Sequence, residues 1–167
     1  SDIYSESGQI ATNLFQNHLS DTSQSVVINN NSVQTFPYNT ILDNGSSNWL
    51  LDANQTGYYI ANGAAIVLDR KNQESPSHTG DGSFTYGDFA SAYINHGTSP
   101  DGADYEYVIV PGTTNQQMSS FSADMQGEST SFYAVLTKDQ KAHIVYSQGI
   151  YGYAFFQNDT HTADSPI

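Results

Sequence analysis

Short runs of Tyr, Phe, Val and Ile, each closed by Asn, Gly, Ser, Thr or Pro, constrain this chain more than any other feature. Aromatic and β-branched side chains suit a pleated, half-buried surface, and the residues between the runs are turn formers. Leu, the usual filler of helical cores, is scarce. A chain written this way folds as strands joined by turns, and its 167 residues suffice for one domain with a core of its own.

Ser25-Val26-Val27-Ile28 reads as a short strand stopped by Asn29-Asn30-Asn31. Tyr58-Tyr59-Ile60, then Asn62-Gly63, then Ala65-Ile66-Val67-Leu68 carries the signal of a tight hairpin, because Asn-Gly accepts the positive φ angles of a two-residue turn. Residues 70–83 are polar and rich in Gly, Ser and Pro, which predicts a loop. Thr85 to Asn95 and Tyr105 to Pro111 read as strands, with the turn formers 95–104 between them. In the second of these, Tyr105, Tyr107 and Ile109 alternate with Glu106, Val108 and Val110. Met118, Phe121 and Met125 fall on one face at helical spacing after Pro111-Gly112, and Thr113 or Thr114 can cap that helix. Strands are expected over 130–137, 142–147 and 150–157, with a frayed end from Asp159. Ile10, Leu14, Phe15 and Leu19 fit either a short helix or an irregular edge. The expected architecture is all-β: a single antiparallel β-sandwich domain over residues 1–167, with roughly nine strands and one short helix.

Charge removes several function classes. Four Lys and Arg stand against 17 Asp and Glu, a formal net charge of −13. Nucleic-acid binding needs a basic footprint that this chain lacks, and an anionic membrane surface repels it. The absence of cysteine excludes disulfides and thiolate metal sites. No apolar stretch approaches the ~20 residues of a membrane-spanning helix. Ser1-Asp2-Ile3-Tyr4 has neither a charged n-region nor an apolar h-region, as expected of a mature protein or an excised domain.

One string is specific. Ala92-Tyr93-Ile94-Asn95-His96-Gly97, Pro100, Ala103 and Tyr105-Glu106-Tyr107-Val108-Ile109-Val110-Pro111-Gly112 resembles polysaccharide lyase family 8, the chondroitin, hyaluronate and xanthan lyases. Trp49-Leu50-Leu51-Asp52 followed by Gly57-Tyr58-Tyr59-Ile60 is similar to a second family string, and the resemblance covers about residues 45–157. It implies a β-sandwich associated with acidic polysaccharides. A secreted setting, extracellular or periplasmic, is expected. The catalytic Asn, His, Tyr and Arg of the family sit mainly on an N-terminal α/α toroid with no counterpart here, so the resemblance carries over no catalytic residue and no activity.

The residues themselves offer several chemistries. Lytic β-elimination needs a neutralised uronate, a base and an acid. His96 with Tyr105 or Tyr107 has the right groups, but a histidine in a turn-rich loop equally serves local backbone, and no defined constellation forms. Sugar stacking needs exposed rings. Trp49 and Tyr58 are candidates whose competing role is core packing, whereas Tyr38 and Tyr86 sit beside turn residues and are expected in solvent. Arg70-Lys71 holds half the positive charge of the chain, near His78, and a guanidinium fork there suits a uronate or sulfate, although an ordinary solvated loop explains the same residues. Asp101-Gly102-Ala103-Asp104 offers oxygen ligands to calcium, but turn chemistry accounts for Asp-Gly equally well, and no other cofactor is implied.

Three functions remain: a non-catalytic module that binds an acidic polysaccharide of glycosaminoglycan or alginate type through His96, Arg70, Lys71, His78 and the four aromatic candidates; the β-portion of a lyase active only with a catalytic domain; and a purely structural domain.

Overall fold

Where the alternating strands find partners decides the architecture. The computed structural model describes residues 3–43, 45–61, 64–126 and 133–156. They cluster into two compact units, one up to Ser122 and one from Ala123 onward. In chain order the strands are β1 (Ile3–Tyr4), β2 (Gln9–His18), β3 (Val26–Ile28), β4 (Asn31–Val33), β5 (Tyr38–Leu42), β6 (Asn48–Leu51), β7 (Thr56–Ile60), β8 (Ala65–Pro76), β9 (Phe84–Thr98), β10 (Asp101–Ala103) and β11 (Tyr107–Pro111). The helix α1 (Asn115–Gln126) follows, then β12 (Ala134–Lys138), β13 (Ala142–Ser147) and β14 (Ile150–Phe155).

The first unit is an antiparallel sandwich. A four-stranded sheet in the order β2-β9-β8-β5 faces a five-stranded sheet in the order β11-β7-β6-β3-β4, with β1 and β10 paired separately. Phe15, Ile66, Leu68, Ala90, Ala92 and Ile94 from the first sheet meet Val26, Ile28, Leu50, Tyr58 and Ile60 from the second in one buried core. The helix covers the other face of the five-stranded sheet. There Trp49 and Tyr59, which alternate with the core residues Leu50 and Tyr58, are buried. The Phe121 ring meets Tyr59 edge-on with centroids 5.7 Å apart. A Cβ on Gly57 would overlap the Met118 side chain, so glycine is what lets the helix lie this close. Thr114 caps α1 as the sequence suggested: its Oγ1 accepts from Gln117 N–H at 3.3 Å, while Gln117 Oε1 accepts from Thr114 N–H at 3.0 Å.

Three local expectations change. Tyr58–Ile60 and Ala65–Leu68 do not pair as a hairpin: β7 lies between β6 and β11, and β8 between β5 and β9. Asn62 and Gly63 lie outside the described residues; β7 and β8 belong to different sheets, and an apolar run on each side of Asn-Gly fits that arrangement as well as a hairpin. A tight two-residue turn does occur at Asn29-Asn30, where both φ angles are positive and Ile28 faces Asn31. Residues 10–18 are the edge strand β2, with register shifts at Gln9/Ala11 and Asn13/Phe15, so the irregular edge is correct and the helix is not. The shifts break the period of two and leave a spacing that mimics a helix. Finally, β9 runs on to Thr98 and Asp101–Ala103 form β10, so much of the expected 95–104 loop is strand.

The second unit holds a three-stranded antiparallel sheet in the order β12-β13-β14, whose last two strands join through Gln148-Gly149, both at positive φ. Tyr151, Tyr153 and Phe155 alternate along β14 and stack in a row, with centroids 6.3 and 5.9 Å apart. The expected strand residues 130–132 and 157, and the end from Asp159, lie outside the described residues.

Candidate functional site

The largest correction concerns Arg70. Its relative exposure is 0%, not that of a loop residue. β8 does not stop at Leu68; Arg70 occupies the next inward-facing position of the strand, opposite Ala90. The guanidinium donates to four backbone carbonyls: Nη1 to Val33 at 3.0 Å and Thr35 at 2.8 Å, Nη2 to Thr22 at 2.7 Å and Gln24 at 2.6 Å. Burial lowers its pKa, yet a guanidinium stays protonated at neutral pH. Arg70 therefore ties the 22–24 and 33–35 segments to the sheet and offers no fork to a polyanion.

Beyond Arg70 the two long strands leave the sandwich. β2 pairs with β9 only as far as His18 opposite Phe89, and β5 reaches β8 only as far as Tyr38 opposite Arg70. From Gln73 opposite Gly87 to Pro76 opposite Phe84, β8 and β9 pair with each other alone. Half of the expected 70–83 loop is thus strand: residues 70–76 belong to β8, and 77–83 form the turn of a two-stranded arm. The tip is tied by Ser77 N–H to the Ser83 carbonyl at 2.8 Å and by Ser83 N–H to Asp81 Oδ1 at 2.8 Å, and hydrogen bonds from the Ser83 hydroxyl and N–H hold the Asp81 carboxyl below its usual pKa. Gly80 and Gly82 take the positive φ angles that the tip requires.

The arm has two unlike faces. Facing pairs in an antiparallel ribbon point the same way and residues two apart share a side. One face therefore presents Asn72 with Asp88, Glu74 with Tyr86, and Pro76 with Phe84. Tyr86 is 67% and Phe84 51% exposed, and Asn72 Nδ2 donates to Asp88 Oδ1 at 2.9 Å. The other face continues the outer surface of the four-stranded sheet. Lys71 lies there, its ammonium 3.2 Å from Asp69 and its side chain 52% exposed, beside a Gln16–Gln73 amide bond of 2.7 Å.

The remaining predicted residues scatter. Tyr86 is in solvent as expected, and His78 is exposed in the tip. Tyr38 is half-buried against the core, contrary to expectation, because β5 turns its side chain inward beside Leu68 and Arg70. Tyr58 is a core residue, and Trp49 is buried on the helix-covered face. Desolvation, the nearby Asp52 charge and a hydrogen bond to that carboxylate push the Tyr58 hydroxyl up to about 12.

His96 and Tyr105 do come together, with ring centroids 5.3 Å apart, and Tyr107 stacks on Tyr105 at 5.9 Å. His96 Nε2 is 2.8 Å from Thr12 Oγ1, and burial pulls the imidazole pKa down. The ring is thereby engaged inside the sandwich edge. Asp101 lies in β10 opposite Tyr4, and Asp104 is exposed just after it. Among the described residues, no three His, Asp or Glu side chains gather closely enough to hold a metal ion. A shallow cavity of about 270 Å³ lies beside Asp101, lined by Tyr4, Ser5, Glu6, Ser99 and Pro100.

Sequence reasoning missed Phe84, Glu74 and Pro76. A ribbon that is solvated on both sides shows no alternation of apolar and polar residues; the Thr85-Tyr86 pair of β-formers was the available signal.

Comparison with known proteins gives this geometry a context. Residues 1–122 match the family described as "Polysaccharide lyase family 8, super-sandwich domain". The chain is 33% identical over 150 residues to the chondroitin sulfate ABC endolyase of Proteus vulgaris, covering 89% of this chain and 14% of that protein. It is 28% identical over 119 residues to the xanthan lyase of Bacillus sp. (strain GL1), covering 68% of this chain and 12% of that protein. A chondroitinase AC lyase structure, from work on its oligosaccharide complexes, superposes with a TM-score of 0.75 at 23% identity, over 93% of this chain and 22% of that one.

Proposed function

Because this chain belongs to polysaccharide lyase family 8 and carries its super-sandwich domain, we propose that it is a non-catalytic accessory module of a polysaccharide lyase. Its ligand is an acidic, uronate-containing polysaccharide of glycosaminoglycan or alginate type, and a polymer too large to cross a membrane places the module outside the cytoplasm. The observation that carries this reading is the arm: a two-stranded extension that holds Tyr86 and Phe84 in solvent next to hydrogen-bonding side chains. Exposed rings flanked by amides and carboxylates are what a pyranose needs, a C–H face to stack on and partners for its hydroxyls. His96 packs against Tyr105 with Nε2 2.8 Å from Thr12 Oγ1, and these contacts within the sandwich account for the ring without a substrate, which supports the non-catalytic part. The names of the similar proteins, lyases of chondroitin and xanthan, support the ligand class.

A second reading keeps the same fold and assigns it to the working enzyme, as the β-portion of a lyase whose chemistry is done by a separate catalytic domain. The chain spans only 14% and 12% of the lyases it resembles, which favours this reading. One experiment separates the two: affinity electrophoresis of the purified chain through gels containing chondroitin, hyaluronan or alginate, with the absorbance of unsaturated uronate followed in parallel. Retardation without absorbance is expected. Absorbance that grows with time overturns the non-catalytic reading, and absence of retardation in every gel overturns the binding one.

A further inference from the structure

We propose that the aromatic face of the arm takes a neutral sugar ring of the polymer and rejects a uronate, so that the module reads polysaccharides in which acidic and neutral residues alternate. This rests on the polysaccharide-binding reading above and narrows it. The argument begins with charge. On the aromatic face, the residue directly opposite Tyr86 is Glu74, and the next pair inward is Asn72 with Asp88. Glu74 is exposed, and Asp88 holds the Asn72 amide at 2.9 Å, so two carboxylates border the exposed rings. The cations that a sequence reading assigns to this region are elsewhere: Arg70 is buried on backbone carbonyls, and Lys71 belongs to the opposite face, against Asp69. A sugar carboxylate stacked on Tyr86 would sit within a few ångströms of Glu74 with nothing to neutralise it. A neutral ring meets the same carboxylates as acceptors, and a hydroxyl donating to an ionised oxygen makes one of the stronger hydrogen bonds available at a surface.

Spacing agrees. Phe84 and Tyr86 are two residues apart on one side of a strand, about 7 Å along the ribbon. Two rings at that separation suit one stacked pyranose and an edge contact with its neighbour, and Pro76 opposite Phe84 extends the apolar strip. The arm therefore combines an apolar strip with anionic acceptors and lacks a cation on that face among the described residues. That combination favours hydroxyl-rich, uncharged rings.

The test titrates the whole chain with three oligosaccharides of equal length: a neutral N-acetylglucosamine oligomer, an unsulfated polymer fragment alternating uronate with N-acetylhexosamine, and an all-uronate oligomer. The expected order places the alternating and neutral oligomers well ahead of the all-uronate one. Tyr86→Ala should weaken the first two about tenfold, with the thermal midpoint unchanged because the ring is exposed. Glu74→Gln should move the two ligand types in opposite directions, a few-fold weaker for the neutral oligomer and tighter for the all-uronate one, which a purely structural role would not do. If the all-uronate oligomer binds best, or Tyr86→Ala and Phe84→Ala bind like the parent chain, the inference fails while polysaccharide binding stands. If the neutral oligomer binds and the alternating one does not, the arm keeps its preference and the acidic-polysaccharide reading fails. If none of the three binds, both fail.

Discussion

β8 and β9 pass through two environments, and the contrast between them explains the molecule. In the half embedded in the sandwich, the inward positions Ile66, Leu68 and Arg70 of β8 and Ala90, Ala92 and Ile94 of β9 are all fully or almost fully buried. In the arm, the same alternation places Glu74 and Pro76 opposite Tyr86 and Phe84, and both rings are more than half exposed. Hydrogen-bonded pairing is continuous across the boundary, so backbone geometry is shared and only burial differs. Apolar area in the embedded half is removed from water and stabilises the fold at about 25 cal/mol per Å². The exposed area of Tyr86 and Phe84 gives the fold little by that measure and is available to a ligand.

Breaking the embedded half should cost most at Arg70. Arg70→Met removes the donors to four part-buried backbone carbonyls, each worth about 1–3 kcal/mol when left dry. A loss of about 4 kcal/mol or more in urea unfolding is expected; a loss under about 1 kcal/mol would mean that those carbonyls find water. Leu68→Ala, at a position with 0% exposure, should cost roughly 2–5 kcal/mol by the same measurement.

Alkaline pH tests the same core from inside. The Tyr58 hydroxyl titrates near 12 in the folded chain, against about 10 when unfolded, chiefly because burial disfavours the phenolate. A folded pKa above the unfolded one contributes stability that is intact below pH about 10 and is lost as pH rises through about 12. Stability profiles of the parent chain and Tyr58→Phe should therefore diverge in that window, the variant falling less; parallel profiles would contradict the assignment. The smallest effects belong to the arm. Tyr86→Ala and Phe84→Ala should each shift stability by less than about 0.5 kcal/mol, as exposed positions do. A larger loss would place those rings in the core economy after all.

What the sequence made legible follows the same division. The sandwich could be read because apolar strand residues alternate, as at Ala90, Ala92 and Ile94 in the expected strand Thr85 to Asn95, all of them buried, and the helix because Met118, Phe121 and Met125 recur at helical spacing after a threonine cap. The role of Arg70 could not, since its four acceptors lie 35 to 48 residues away in the chain and leave no local pattern. Asn62-Gly63 misled because a turn-forming pair between two apolar runs does not say whether the second run returns to the same sheet. Within the candidate site, Tyr86 was found from its neighbouring turn residues, while Glu74 and Phe84 join it on one face only through the register of β8 on β9.

The account stands most directly on where a sugar touches the chain. Backbone amide shifts recorded during titration with an oligosaccharide of alternating uronate and N-acetylhexosamine should move first and farthest in residues 72–75 and 84–88. Shifts confined to α1, to the shallow cavity beside Pro100 or to the outer face around Lys71, with the arm silent, would contradict it.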